Sequence, residues 1–167
     1  QNEGILEAVE NTFIVGVSAV VFSLILGTVI ALHCNSGESR SRALLQFVVF
    51  LPFLMPPMIT GLSLLIFFRE VDIPRSMLTI IIGHTVFVLA LVYRTILVRL
   101  QGIGPSMVEA SYDLGANAPQ TFLYVLLPNL KSALIGAGVL AFALSFDETM
   151  ITILVTGRWA DYQLSYT

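Results

Sequence analysis

The sequence predicts an all-α, polytopic membrane protein, and three observations carry that expectation. Of 167 residues, 56% are hydrophobic and 11% charged, against roughly a quarter charged in soluble domains, and the mean hydropathy is +0.89. Four segments are apolar over the length of about 20 residues that crosses about 30 Å of hydrocarbon at a rise of 1.5 Å per residue. No stretch alternates as barrel strands do, so helices must satisfy the backbone polar groups within lipid.

The first span runs from about Asn11 to Leu32 and carries no charge. The second runs from about Ala43 to Phe68 and contains Pro52, Pro56 and Pro57. It should kink or break near Met55, because proline lacks the N–H and disfavours helix in the residue before it. The third runs from about Ser76 to Leu97, with His84 inside and Arg94 near its end. The fourth runs from about Lys131 to Val155, with Asp147 and Glu148 inside. An even number of spans places residues 33–42 and 98–130 on one side. Arg40, Arg42, Arg94, Arg99 and Lys131 flank these two connections, against Arg69, Arg75 and Arg158 on the other side, which also holds Glu3, Glu7, Glu10, Glu70, Asp72 and Asp161. The positive-inside rule then places 33–42 and 98–130 in the cytoplasm. Gln1 is no start residue and the chain stops in a polar stretch, so it reads as the middle of a longer protein.

Composition also excludes classes. A net charge of −3 leaves no basic footprint for nucleic acid. One cysteine, Cys34, forms no intrachain disulfide, and Cys34 with its neighbour His33 and the distant His84 makes no metal-ligand spacing. There is no G-x-x-x-x-G-K-[ST] phosphate loop, so no ATP chemistry belongs to this chain.

The connection 98–130 contains EASYDLGANAPQTFLYVLLP, from Glu109 to Pro128. Pro105 suits a first helical turn, Ser106 to Leu114 read helical, Gly115 and Asn117 end that helix, and Pro119 opens a second one over Gln120 to Leu127. The small residues Ala110 and Ser111, beside acidic Glu109 and Asp113, would let another surface approach the backbone. Two readings stand: a helix resting on lipid headgroups, or a helix docking on a protein. The absence of Lys and Arg from this helix speaks against anionic lipid.

Glu109-Ala110-Ser111, then Gly115, then Val125, Leu127 and Pro128 resemble the E-A-A-x-x-x-G-x9-I-x-L-P signature of binding-protein-dependent ABC importer permeases. Ser111 replaces the second alanine and Val125 the isoleucine. LPFLMPPMITGLSLLIFF and LSFDETMITILVTG look most like the spermidine/putrescine-type permease subunits. The resemblance implies a type I ABC importer permease fold with about six spans, of which four are visible. It implies one transmembrane permease domain over 1–167, with a coupling-helix segment at 104–128. It implies that this helix docks on an ATPase subunit: Glu109 contacts basic groups, Ala110 permits close packing, Ser111, Asp113 and Leu114 complete the helix, and Gly115 permits the sharp turn after it. The partners implied are two ATPases that bind ATP and magnesium, a second permease, an extracytoplasmic solute-binding protein and the lipid of a bacterial inner membrane.

Asp147 and Glu148 are the strongest signal inside the spans, since a charge at mid-bilayer costs about 2.5–3.5 kcal/mol on insertion scales. They line a translocation path or are satisfied by local partners. Asp147 lies 16 residues beyond Lys131, about 24 Å from that end. His84, eight residues in from Ser76, and the Pro56-Pro57 break, 13 to 14 residues beyond Ala43, fall at similar depth. A polar cavity closed by a broken helix is one reading. An interhelical hydrogen-bonded histidine and a plain structural kink are the others. Arg94 and Arg99 read as snorkelling, and Gly136 and Gly138 as sites of close helix packing. The acids suit a cationic, polyamine-like solute, with cation–π help from aromatic side chains. Alternatives are a permease for another small solute, such as an amino acid derivative or opine, and an ion-coupled secondary carrier whose acids bind protons.

Overall fold

The computed structural model describes residues 2–35, 37 and 39–156, and every regular element among them is helical. Arg158 and Asp161 of the charge comparison lie outside the described residues. In order, the elements are α1 (Asn2–Asn35), α2 (Arg40–Leu54), α3 (Pro57–Glu70), α4 (Met77–Gln101), α5 (Pro105–Asp113), α6 (Ala118–Thr121), a π-helical turn (Phe122–Leu126), α7 (Leu127–Asp147) and α8 (Thr149–Thr156). The three unbroken lengths suited to crossing a membrane are Val9–Asn35, Met77–Gln101 and Ala118–Asp147.

α4 is the central helix. Val88, Val92, Ile96 and Leu100, with Tyr93 and Leu97, form a buried stripe at helical spacing. Against it lie Ala31 of α1 and Leu130, Ala137 and Ala141 of α7. In lipid, apolar burial gives little drive for helix association, so close packing through small residues carries the bundle. The tightest approaches are made by glycines. A Cβ on Gly27 of α1 would sit 2.9 Å from Val92 Cγ1 and 3.1 Å from the Tyr93 backbone nitrogen. One on Gly83 of α4 would sit 2.8 Å from Ile151 Cγ2 of α8. The expectation for Gly136 is corrected: nothing lies within 4 Å of where its Cβ would be, and Gly138 meets only ordinary contacts at 3.5 and 3.7 Å. Gly136 occupies the outward face of α7, beside exposed Ile135 and Val139.

Contacts fix the directions. Gly27 faces Val92, and Asn35 shares a groove with Leu100 and Gln101, so α1 and α4 run parallel. Arg99 meets Asn129 and His84 meets Ser145, so α7 runs antiparallel to α4. The connection between α1 and α4 must therefore cross the bundle. It does so as a broken span, α2 and α3 meeting at a bend of 112°. Phe50 packs on Tyr93, Phe53 on Phe87, and Leu64 beside Gly83, so the broken pair climbs α4 from one end to the other. This gives four crossings, with residues 33–42 and 98–130 at the same end.

The bend has a local cause. Pro56 and Pro57 each push the preceding residue out of helix, and Met55 and Pro56 are extended, with ψ of 147° and 137°. Pro56 has no N–H to give to the carbonyl of Pro52. The Thr60 hydroxyl donates to it instead, at 3.1 Å, so the break leaves that acceptor satisfied.

The fourth span differs from its expectation at both ends. The helix that carries it begins at Ala118 rather than near Lys131, because the second short helix does not stop but runs into α7. Pro128 has no N–H and its ring would strike the carbonyl four residues back. The chain widens before it into a π turn, with the Leu127 N–H on the carbonyl of Phe122. At the far end the helix stops at Asp147 instead of continuing to Val155. Glu148 leaves helical geometry, with φ −82° and ψ 84°, and α8 starts after it.

Candidate functional site

Two regions hold the residues singled out by the sequence. The first is the α5 segment. Pro105 opens α5 and Gly115 closes it in the left-handed region, with φ +85°. The Ala116 N–H reaches the carbonyl of Ser111 at 3.0 Å and the Gly115 N–H that of Tyr112 at 2.8 Å. This is a Schellman end, which favours glycine at that position. α6 then starts on a capping box: Asn117 Oδ1 accepts from the Gln120 N–H at 3.0 Å, and Gln120 Oε1 from the Asn117 N–H at 2.9 Å.

Ser111 departs from its expectation as an open contact position. It is buried, its hydroxyl donates to the carbonyl of Val108 at 2.7 Å, and it lies 2.9 Å from the buried Thr121 hydroxyl. It clips α5 to the base of the fourth span. A serine there has the hydroxyl this clip requires, which alanine would lack. Glu109, Ala110 and Asp113 are exposed, as are Tyr112 and, at 88%, Leu114. Glu109 also borders a groove of about 430 Å³ between α5 and the ends of α1 and α4. Arg99 does more than snorkel: its Nε donates to the carbonyl of Asn129 at 3.0 Å, joining α4 to α7. Arg94 is exposed. Asn129 also back-bonds to the Val125 carbonyl at 2.7 Å beside the π turn.

The second region lies where both broken helices meet α4. Phe53 stands at the level of Phe87 and Leu64 at that of Gly83, so Pro56 and Pro57 fall near the level of His84. Ser145, bonded to His84, is two residues before Asp147. The three features predicted at similar depth are therefore brought to one level of the bundle. Asp147 is the last residue of α7 and is exposed; Glu148 is half-buried. Glu148 Oε1 accepts from the Ile151 N–H at 3.2 Å, so its carboxylate caps α8. His84 is buried, with Nδ1 2.8 Å from Ser145 Oγ and Nε2 2.8 Å from Thr152 Oγ1. Its partners Ser145 and Thr152 escaped sequence reasoning, although hydroxyls seven apart across an acidic pair in an apolar span are a signal. Among the described residues no His, Cys, Asp and Glu cluster could hold a metal.

A bundle of long apolar helices, with a short capped helix between α4 and the fourth span, fits a multi-pass membrane protein. The chain belongs to the family of binding-protein-dependent transport system inner membrane components, whose pattern matches residues 19–164. It is a multi-pass inner membrane protein. The putrescine transport system permease protein PotI of Escherichia coli (strain K12) is 34% identical over 167 residues, covering 96% of this chain and 59% of the relative. The spermidine/putrescine transport system permease protein PotC of the same organism is 27% identical over 156 residues, covering 93% and 59%. PotC of Haemophilus influenzae (strain ATCC 51907 / DSM 11121 / KW20 / Rd) is 26% identical over 156 residues, covering 93% and 61%. The chain thus spans about three fifths of the length of these relatives.

Proposed function

We propose that this chain is the membrane-crossing part of a permease subunit in an ATP-driven importer for a polyamine or a similar cationic solute. The observation that carries the reading is α5, held by a Schellman turn and the Ser111–Thr121 clip so that Glu109, Ala110, Tyr112 and Leu114 face outward. A rigid, partly apolar projection of this kind suits a protein partner. We assign that partner as an ATPase subunit, which supplies ATP and magnesium chemistry that this chain lacks. A second permease and a solute-binding protein complete the assembly. Residues 33–42 and 98–130 then face the cytoplasm.

The mechanism follows from the connections of α5. The Ser111–Thr121 clip passes a displacement of α5 to the continuous helix Ala118–Asp147, and the Arg99–Asn129 bond passes it to α4. Both helices lead to the level of the two breaks. There Asp147 and Glu148 offer carboxylates to a cationic solute, and the Pro56-Pro57 break lets α2 and α3 move as separate rods. Alternate closure at the two ends moves the solute across. Polyamines are favoured over other solutes because the two acids are adjacent in the sequence and because the relatives PotI and PotC are named for putrescine and for spermidine/putrescine transport.

Uptake of labelled putrescine by proteoliposomes, carrying the full-length protein with its ATPases and solute-binding protein, tests this. Asp147→Asn and Glu148→Gln should each reduce uptake at least about tenfold while leaving assembly intact, as loss of an ion-pairing group in a path predicts. Wild-type uptake in both variants removes the acids from the path. Uptake without the ATPases replaces the reading with an ion-coupled carrier.

A further inference from the structure

His84 stands in α4 opposite the discontinuity between α7 and α8. One ring nitrogen reaches Ser145, the third residue from the end of α7, and the other reaches Thr152, the fourth residue of α8, both at 2.8 Å. The two hydroxyls are thus on opposite sides of the break at Glu148. The Thr152 hydroxyl also donates to the Glu148 carbonyl at 3.3 Å. Each hydroxyl can donate to or accept from its ring nitrogen according to the tautomer. A neutral imidazole satisfies both arms, which suits a site 3% exposed within a span.

α8 is described over Thr149–Thr156. It is joined to α7 through one non-helical residue and packs on α3 and α4, with Ile151 against Gly61 and Gly83. These apolar contacts seat α8 on α3 and α4. The bonds from one imidazole add a polar tie that joins both halves of the break to α4.

We propose that His84 is a positioning residue, a two-armed clamp that fixes the angle at the α7/α8 break and so the placement of Asp147 and Glu148. It touches no solute; it acts through the helix ends that carry the acids. The inference rests on the reading of those acids as part of the path only for its consequence in transport, because the clamp itself is a statement about α8.

The test uses the full-length permease in its assembled complex in lipid nanodiscs, with amide exchange read over residues 149–156 and over 88–100. His84→Phe keeps an aromatic ring and removes both bonds, and His84→Gln keeps one donor and one acceptor. Thr152→Val and Ser145→Ala each remove one arm. The clamp predicts exchange in 149–156 faster by about tenfold in His84→Phe, the factor expected from losing two buried hydrogen bonds. It predicts a smaller rise in His84→Gln and in each single-arm variant, unchanged exchange in 88–100, and fewer solute molecules carried per ATP in His84→Phe. A packing role predicts the reverse order, with His84→Phe closer to wild type than His84→Gln. That order, or unchanged α8 exchange in His84→Phe, overturns the clamp. If His84→Phe does not assemble, unchanged exchange in Thr152→Val overturns it. Normal uptake in both Asp147→Asn and Glu148→Gln would remove the path reading while leaving the exchange result standing, so the two fail separately.

Discussion

Glycines decide the packing of this bundle, and they differ from one another in kind. Gly27 has a backbone atom of Tyr93 3.1 Å from where a Cβ would sit, and backbone cannot swing aside. Gly27→Ala should therefore destabilise the protein by about 1–3 kcal/mol, as overpacking does, seen as a lower unfolding midpoint in mild detergent. Gly136→Ala meets open space and should leave stability unchanged or raise it by up to about 1 kcal/mol through helix propensity. Equal effects at the two sites would contradict the packing described here. Sequence reasoning chose Gly136 and Gly138 because small residues two apart in a span suggest a seam, but which face a seam occupies depends on tertiary contacts. Gly115 was legible for a different reason. Its role is conformational and local, and a glycine just past a helix end carries that signal by itself. Ser111 was half legible: its smallness showed, while its inward hydroxyl depended on Thr121, ten residues away.

At the scale of elements, the breaks differ in how plainly they are written. The α2/α3 break is steric and is spelled by two consecutive prolines, so it was expected near Met55 and is found there. Its hydrogen-bond repair was not legible, because Thr60 reaches back eight residues to Pro52. Thr60→Val keeps the shape and leaves the Pro52 carbonyl without that donor, which should destabilise by about 1–3 kcal/mol. Thr95 is the control. Its hydroxyl bonds the carbonyl of Leu91 within the same helix, an acceptor already served by the helix itself, so Thr95→Val should change stability by less than about 0.5 kcal/mol. Thermal unfolding of both variants in nanodiscs reads the difference. The α7/α8 break carries no proline or glycine, and apolar composition on both sides made the segment look continuous. The π turn was hidden as well, since Pro128 can begin a helix as readily as widen one.

On the scale of the whole molecule, the topology was legible because charge and length speak for each span separately. Four crossings with two connections at one end follow from the sequence, and the register along α4 agrees. What the sequence could not supply was the mechanical continuity: the clip at Ser111, the unbroken helix from Ala118 to Asp147, and the tie from Arg99 to Asn129. Together these join the projecting α5 to the level of the acids, and that connection is the substance of the proposed transport mechanism. Its first requirement is that α5 be seated on an ATPase. The most direct test is cysteine crosslinking in the assembled complex, in a background with buried Cys34 replaced. Ala110→Cys, on the exposed face of α5, should crosslink to the ATPase subunit, and Ser111→Cys, one residue away but buried, should not. Absence of a crosslink from Ala110→Cys in an active complex, or equal crosslinking from both positions, would contradict the account.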